Sequence, residues 1–432
     1  MGRSSKMNCK LNDKIKQVEE TSLVIGIDIG STTHYARAFD WRKMELAKIF
    51  RFSNTLEGYE ALSRWMENIQ ALRHKEKVIV GIEPTGHYWF TLGQYLQGKG
   101  IKLVMVNPYA VKQSKELDDN NQTKNDAKDP SVIAKLVIDG RYSIPYVPSG
   151  AYADLRIMFS NRTRISREIV AIKNHLARWF AIHFPEYKEV FRNYEAQSSL
   201  HLLKVAATPS SIVALGANGI NKIWRDAKIR AVGMKRATTL YETAKKSIGQ
   251  NQGTAAAEVE MKLLLEDYEA KMRQYASIMA ALEEAVRRIP GTERLLAIKG
   301  IGLVTVAGFL AETGDLGRFE SPKQIQKLAG LSLKENSSGQ HKGETTISRR
   351  GRHGLRNVLF NAVIPLLATN DEFRSMHEYY TTRTANPLRK KQSAIALCGK
   401  LIRIFYVVLV KGTVYDGQKM LADIHRNGTQ VA

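Results

Sequence analysis

The sequence predicts an α/β domain at the N-terminus and a mostly helical remainder. Two observations support this prediction. Between residues 23 and 139, short apolar runs rich in β-branched residues alternate with segments whose apolar residues recur at helical spacing. At 151–200 and 255–288 the helical spacing continues over far longer stretches. The 432 residues are enough for two or three domains.

The order of the N-terminal elements indicates the kind of fold. Strands are predicted in a meander at 23–30, 33–40 and about 44–52, and an amphipathic helix at 56–72. The elements that follow are a strand at 78–83, a helix at about 87–98, a strand at 102–106, and helices at about 109–117 and up to about 139. Three meandering strands, a helix, then alternating strands and helices is the order of the RNase H-like fold, which would span residues 21–145.

Four carboxylates stand where this fold would bring them together. Asp28 and Glu83 each end a buried strand, and Asp126 and Asp129 are three residues apart, so on a helix they share a face. Converging carboxylates repel one another, and two Mg²⁺ or Mn²⁺ ions would neutralise them and hold a scissile phosphate. Simpler readings stay open here: Asp28 caps its own turn, Glu83 only ends a strand, and Asp129 before Pro130 is a helix N-cap.

The middle of the chain predicts a helical arm at 150–288, preceded by the α/β domain and a basic tail at 1–20. Its two long helices would form a hairpin, either a coiled coil or an ordinary antiparallel bundle. The first helix is basic, with Arg156, Arg162, Arg164, Arg167, Lys173 and Arg178. The insert between the helices, 201–254, is basic and rich in small residues, and the sequence assigns it no function.

The last predicted domain, 289–432, begins with a motif suited to phosphate. Around Lys299, Gly300 and Gly302, a helix, a Gly-x-Gly turn and a second helix resemble a helix-hairpin-helix. The loop amides of such a motif can bind a phosphate without reading sequence. Two helices, at about 371–382 and 388–411, are predicted to close the chain.

Residues 330–356 form the densest polar and basic stretch of the chain. Ser338 directly precedes Gly339, and His341 and His353 are nearby. The cations of this stretch, which could stabilise the charge of a developing phosphorane, are Lys342, Arg349, Arg350, Arg352 and Arg356. The alternative is a flexible loop that only touches a DNA backbone.

The charge balance predicts a polyanionic partner. Lysine and arginine outnumber aspartate and glutamate by 65 to 42, a net charge of +23, and nucleic acid is the leading candidate. A basic surface kept for solubility is the alternative. Two cysteines, Cys9 and Cys398, exclude a disulfide framework and a cysteine zinc site, and they fit a reducing cytoplasm.

The sequence also predicts no secretory signal and no membrane span. The first twenty residues are polar and charged. The apolar run from Leu401 to Val410 is interrupted by Arg403 and is too short to cross a bilayer, so a core helix is expected there.

Ordered motifs over most of the chain resemble a known family. In the N-terminal half they are Gly26-Ile27-Asp28, Gly81-Ile82-Glu83-Pro84-Thr85-Gly86, Val106-Asn107-Pro108 and Lys124-Asn125-Asp126-Ala127-Lys128-Asp129. In the C-terminal half they are Ile298-Lys299-Gly300-Ile301-Gly302, Ala329-Gly330-Leu331, Ser338-Gly339 and Gly351-Arg352-His353-Gly354-Leu355-Arg356. They resemble the DEDD transposases of the insertion-sequence "one-ten" type, also described as bridge-RNA-guided recombinases.

The resemblance implies a RuvC-like domain that binds Mg²⁺ or Mn²⁺, two ions in the family pattern, through Asp28, Glu83, Asp126 and Asp129. It implies a nucleophilic serine, which corresponds best to Ser338, with Ser337 as its neighbour. It also implies donor and target DNA, a structured noncoding guide RNA, and a dimer or tetramer. Such an enzyme would work in the cytoplasm of a bacterium or archaeon, at the nucleoid.

Three other functions remain open from the sequence. Ile27 to Thr33 resembles the first phosphate loop of actin-like and sugar-kinase ATPases, although no further glycine-rich nucleotide loop precedes residue 290. A junction-resolving nuclease would use the same metal site with water as nucleophile. A DNA-binding protein with an inactive site is the third. The chain also departs from the family pattern at Asn125 and Pro130, where threonine and alanine are usual.

Overall fold

The computed structural model describes residues 11–84, 86–118, 129–334, 337–338, 341–342 and 346–426. The chain divides into two compact units, Met1–Val147 and Pro148–Ala432. The first unit is a mixed α/β domain and the second is mostly helical, which confirms the predicted fold class at this level.

The first unit contains one mixed sheet. Its strands are β1 (Ser22–Asp28), β2 (Thr33–Phe39), β3 (Phe50–Ser53), β4 (Lys77–Ile82), β5 (Lys102–Val106) and β6 (Tyr142–Ser143). Its helices are α1 (Leu56–Arg73), α2 (Trp89–Gly98), α3 (Pro108–Asp118) and α4 (Asp129–Ile138). The strands pair in the order β3-β2-β1-β4-β5-β6. Strands β1, β4 and β5 run parallel, and β2, β3 and β6 pair antiparallel to their neighbours.

Strand β1 is buried on both faces, as its continuous apolar run predicts. On one face Ile25 packs in a cluster with Leu62 and Met66 of α1. On the other face Val24 packs in a cluster with residues of α4, among them Ile133. The alternation of side chains along a strand therefore decides which residues of β1 and β4 face α4.

Two glycines allow helix α4 to lie unusually close to the sheet. Gly26 of β1 is paired with Gly81 of β4. A Cβ atom at Gly26 would overlap the carbonyl oxygen of Pro130 and lie 2.8 Å from the amide nitrogen of Ala134. At Gly81 it would lie 2.5 Å from a methyl group of Val137. Only glycine permits this approach of helix backbone to strand backbone.

Substitution of Gly26 by alanine is expected to destabilise the first unit, by about 2 kcal/mol or more. The obstructing atoms belong to the α4 backbone, so no side-chain rotation can relieve the overlap. Chemical denaturation measures the loss. Gly98→Ala is the matched control, because nothing lies within 4 Å of a Cβ atom there. Equal unfolding free energies for the two variants would show that α4 does not pack on β1 in this way.

The third strand begins later than predicted. It is Phe50–Ser53, not 44–52. The Asp40 carboxylate accepts hydrogen bonds from the backbone N–H groups of Arg42 (2.9 Å) and Met44 (2.8 Å), and these bonds form a turn after β2. Met44, the first residue of the predicted strand, belongs to this turn instead.

The second unit is built mainly from helices. They are α5 (Gly150–His183), α6 (Tyr187–Val190), α7 (Gln197–Leu203), α8 (Pro209–Asp226), α9 (Met234–Lys245), α10 (Thr254–Arg287), α11 (Thr292–Leu296), α12 (Leu303–Thr313), α13 (Pro322–Leu328), α14 (His353–Thr369), α15 (Asp371–Thr382), α16 (Lys390–Lys411) and α17 (Gly417–Arg426). The described residues between α13 and α14 include four two-residue strands: β7 (Leu333–Lys334), β8 (Ser337–Ser338), β9 (His341–Lys342) and β10 (Thr346–Ile347).

Helices α5 and α10 form the predicted hairpin. Ile165 and Ile169 of α5 pack with Tyr268 of α10, and the early residues of each helix pack with the late residues of the other, so the pair is antiparallel. Helix α5 ends at His183 instead of continuing to about 200. Pro185 accounts for this end, because the residue before a proline is disfavoured in a helical conformation. A coiled-coil geometry stays a prediction.

The segment between α5 and α10, which contains the predicted insert 201–254, is a small helical subdomain whose core includes residues of both long helices. Its helices α6 to α9 bury Tyr187 and Trp224 against Trp179 and Phe180 of α5. The Trp224 indole donates to the carbonyl of Ser198 at 2.8 Å. The composition of residues 201–254, rich in small residues, did not predict α8 and α9.

The C-terminal part of the second unit has a separate core, to which helix α16 contributes Leu397, Leu401 and Phe405. Helix α16 is also the one helix in the described part of the chain that is long and apolar enough to cross a membrane by length and composition alone. Its burial in this core agrees with the predicted core helix. Helices α15 and α16 confirm the two closing helices, and α17 adds a further one.

Candidate active site and nucleic-acid interface

Asp28 and Glu83 are neighbours at one edge of the sheet. Asp28 ends β1, and Glu83 directly follows β4. The parallel register pairs Ile27 with Ile82, so the next two residues in line are these carboxylates. Adjacent strands lie about 4.8 Å apart. Both residues are half-buried.

Helix α4 brings Asp129 to the same edge. Asp28 is two positions after Gly26, which faces α4, so strand alternation directs the Asp28 side chain to the α4 side of the sheet. The carbonyl of Pro130 lies against Gly26, whereas the residue after the helix, Gly140, lies against Leu11 and Ile15, which precede β1. Helix α4 therefore runs antiparallel to β1. The helix begins at Asp129, so its N-terminus lies toward the carboxyl end of β1.

The remaining predicted ligand, Asp126, lies outside the described residues. Among residues that the structure does describe, no group of three or more His, Cys, Asp or Glu side chains is arranged to hold a metal ion. Asp28, Glu83 and Asp129 each have a polar or electrostatic partner. Carboxylate oxygens are the donors that Mg²⁺ and Mn²⁺ prefer, so the residues at this edge fit such an ion by their chemistry.

The turn after Asp28 is held by side chains from β2 and from the residue after β3. The N–H of Gly30 donates to Nδ1 of His34 at 3.3 Å, and Nδ2 of Asn54 donates to the carbonyl of Ser31 at 3.1 Å. Burial lowers the pKa of His34, and a hydrogen bond with Asn54 opposes that shift. A neutral imidazole can accept the Gly30 hydrogen bond. The sequence assigns no role to His34 or Asn54.

Ser338 lies in a short antiparallel strand pair. Strand β8 pairs with β9 so that Ser338 is opposite His341 and Ser337 is opposite Lys342. Strands β7 and β10 pair on either side of this segment, Leu333 with Ile347. Ser337 and Ser338 are therefore strand residues.

The residues that flank this segment, just before β7 and just after β10, are held together by glycines that approach closely and by arginine hydrogen bonds. Gly330 and Gly351 both have positive φ angles, and a Cβ atom on Gly351 would lie 2.6 Å from the amide nitrogen of Gly330. Arg356 donates to the carbonyl of Ala329 at 2.9 Å, and Arg352 donates to the carbonyl of Glu312 at 2.8 Å.

These contacts separate the predicted cations into two groups. Arg352 and Arg356 use guanidinium donors to hold the protein backbone. Arg349 and Arg350 follow β10 and are exposed. Lys342 is opposite Ser337 in the β8–β9 strand pair. The sequence could not make this distinction, because it depends on long-range contacts.

The Gly-x-Gly motif joins two helices, as predicted, although the first of them, α11, has only five residues. Gly300 has a φ of 92°, and a Cβ atom there would lie 2.6 Å from the Thr369 hydroxyl at the end of α14. Gly302, before α12, is exposed and has open space around it. Lys299 is exposed as well, and its carbonyl accepts a hydrogen bond from Asn370 at 3.2 Å.

Helix α14 was not recognised in the sequence, where its first turn was read as part of the basic stretch. It begins at His353 and contains Pro365. Leu355, Leu359 and Val363 are buried, so the apolar spacing is present. The arginines before the helix and the proline inside it obscured this spacing.

Comparison with known proteins identifies the kind of enzyme. The family model for transposases of the type DEDD IS110 matches residues 25–185, and the model for transposases of the IS116/IS110/IS902 family matches residues 292–380. The insertion element IS900 42 kDa protein of Mycobacterium paratuberculosis is 26% identical over 68% of this chain and 73% of its own. The insertion element IS110 43.6 kDa protein of Streptomyces coelicolor is 18% identical over 93% and 97%. A pilin gene-inverting protein of Moraxella bovis is 29% identical over 28% and 38%.

The two matched regions cover the sheet edge of the first unit and much of the C-terminal part of the second, including the serine segment. The chain is thus a transposase, an enzyme that cleaves and recombines DNA. It belongs to the IS110 family of DEDD transposases. DNA is its partner, and membership of a DEDD family implies dependence on a divalent metal ion.

Proposed function

We propose that the first unit is an RNase H-like, RuvC-like catalytic domain in which Asp28, Glu83, Asp126 and Asp129 bind one or two divalent cations. The observation that carries this proposal is the strand register, which makes Asp28 and Glu83 neighbours at the carboxyl ends of β1 and β4. Bound Mg²⁺ or Mn²⁺ would neutralise charge on a scissile phosphate and activate an attacking oxygen.

We further propose that Ser338 is the nucleophile that joins protein to DNA. Its hydroxyl oxygen would attack the phosphorus of a phosphodiester, forming a serine–phosphate ester and breaking the bond to one deoxyribose oxygen. The serine proton leaves to a base, and the departing sugar oxygen takes up a proton. The number of ester bonds is conserved, so a DNA hydroxyl can reverse the step and join strands without an added energy source. Lys342 stands beside this segment in register, and Arg349 and Arg350 would bind flanking phosphates.

The last part of the proposal concerns partners. We propose that a structured noncoding RNA guides the choice of DNA, that the chain acts as a dimer or tetramer in the cytoplasm, and that the α5–α10 hairpin is a coiled-coil arm. The net charge of +23 supports binding of nucleic acid. The basic residues along α5, such as Arg167 and Arg178, are available on the arm for such contacts.

Removal of RNA tests the guide. The protein is expressed together with its native flanking DNA, purified, and offered DNA that carries the element ends, with a divalent metal present. If RNA guides the reaction, prior RNase treatment should abolish site-specific cleavage, and adding back the co-purified RNA should restore it. A sample treated with inhibited RNase is the control. Equal cleavage with and without RNA would contradict the guide, while leaving the metal site and serine to be tested separately.

A further inference from the structure

The insert subdomain presents a concentrated positive surface that the catalytic proposal does not use. Six cations lie between the last turn of α8 and the first turn of α9, and all are exposed: Lys222, Arg225, Lys228, Arg230, Lys235 and Arg236. We refer to residues 222–236 as the basic turn. Asp226 is the only acidic residue between 196 and 241. The basic turn therefore carries a net charge of +5 within 15 residues.

Several cations elsewhere on the arm are paired with acids. Lys173 pairs with Glu195 at 2.8 Å, and Lys204 pairs with Glu269 at 2.6 Å. In the described part of the chain, which includes the whole insert, no ion pair involves any of the six cations of the basic turn. Like charges held this close repel one another, and an external polyanion would relieve that repulsion.

The backbone of the basic turn is fixed before any partner arrives. The Arg225 guanidinium donates to the carbonyl of Val232, and the N–H of Ile229 donates to the carbonyl of Trp224 at 2.8 Å. Lys228 occupies a left-handed conformation, with a φ of 56°. A preorganised surface loses little conformational entropy on binding.

The position of the basic turn separates it from the serine segment along the arm. Phe159 of α5 packs in the C-terminal core, and Trp179 packs in the insert core. These residues are twenty positions apart on one helix, which corresponds to about 30 Å. A contact made by the basic turn would thus reach a part of the ligand distant from the C-terminal core.

We propose that the basic turn binds the phosphate backbone of duplex DNA, without reading its sequence. This inference rests on the proposed function only in taking DNA as the substrate. Lysines and arginines on a rigid turn suit phosphates. Unpaired bases of single strands and RNA loops are usually held by exposed aromatic rings, and the basic turn offers none, since its one aromatic residue, Trp224, is buried.

The test compares two triple variants of the full chain. Lys222→Gln, Arg230→Gln and Lys235→Gln together remove three cations of the basic turn for which no hydrogen bond or ion pair is seen. The matched control, Arg192→Gln, Lys246→Gln and Lys262→Gln, removes three exposed cations of the arm outside the basic turn. Melting temperatures check that both variants fold. Affinity for a DNA duplex is measured against salt concentration in EDTA, so the result does not depend on the metal site or on Ser338.

The basic-turn variant should bind the duplex about tenfold or more weakly at physiological salt, and the slope of log affinity against log salt should fall by about 2 to 3. The control should change the slope by less than 1. An unchanged slope in the first variant, equal changes in both variants, or a loss seen only with an RNA duplex of the same sequence would overturn the proposal. Failure of the catalytic proposal would instead appear as normal DNA binding without strand cleavage.

Discussion

Replacement of Asp28 by asparagine should reduce DNA cleavage by a factor of about 10³ or more, with the fold retained. Asparagine keeps the size of the side chain but removes the negative charge that would bind a divalent cation. Asp28 lies at the end of β1 and is half-buried, so the change does not open a cavity in the core. The measurement is cleavage of element-end DNA in Mg²⁺ or Mn²⁺.

A second readout separates loss of metal from loss of structure. If the four carboxylates bind a cation, added Mg²⁺ or Mn²⁺ should raise the melting temperature of the wild type, because a ligand that binds only the native state stabilises it. Asp28→Asn should lose this response. In EDTA the variant should be as stable as the wild type or slightly more stable, since one source of repulsion between carboxylates is gone.

Asp139→Asn is the matched control, because Asp139 follows the opposite end of the same helix, α4. It pairs with Lys43 at 2.7 Å on the surface, where an ion pair contributes about 1 kcal/mol or less. This variant should cleave DNA and respond to metal as the wild type does. Wild-type cleavage by Asp28→Asn would rule out the metal assignment at the sheet edge.

The sequence predicted that Asp28 and Glu83 stand at the ends of buried strands, because the signal for this is local. Gly26-Ile27-Asp28 and Gly81-Ile82-Glu83 repeat one pattern, a glycine, a buried isoleucine and a carboxylate. The carboxylates alone carried that prediction, and the glycines had no part in it. The glycines set the approach of α4, and that approach directs Asp129 toward the same edge.

Other features could not be predicted because they depend on distant contacts. Strand register aligns residues more than fifty positions apart, and only the folded sheet determines it. The structural use of Arg352 and Arg356 depends on carbonyl groups of Glu312 and Ala329. The composition of the insert, rich in small residues, gave no clear helical pattern. Trp224 could not be recognised as a core residue from the sequence, because its burial depends on packing with residues of α5.

Replacement of Ser338 by alanine should abolish covalent attachment of the protein to DNA, a loss of roughly 10³-fold or more in strand transfer. Alanine lacks the hydroxyl that would form the phosphate ester. Attack by water in its place would cleave the strand without linking the protein to DNA. The measurement traps the reaction in denaturant and separates protein–DNA adduct from free DNA. Binding of DNA should be unchanged, because the substitution removes no charge.

Ser337→Ala is the control, since Ser337 is the adjacent residue of β8 and pairs with Lys342 instead of His341. It should still form the adduct. If instead only Ser337→Ala loses the adduct, the nucleophile is the neighbouring serine and the catalytic role passes to it. Clean strand cleavage by Ser338→Ala at the wild-type rate, without any adduct in the wild type, would identify a nuclease that uses water. That result would refute the serine mechanism while leaving the carboxylates at the sheet edge as the catalytic centre, because hydrolysis would still need the cation they are proposed to bind.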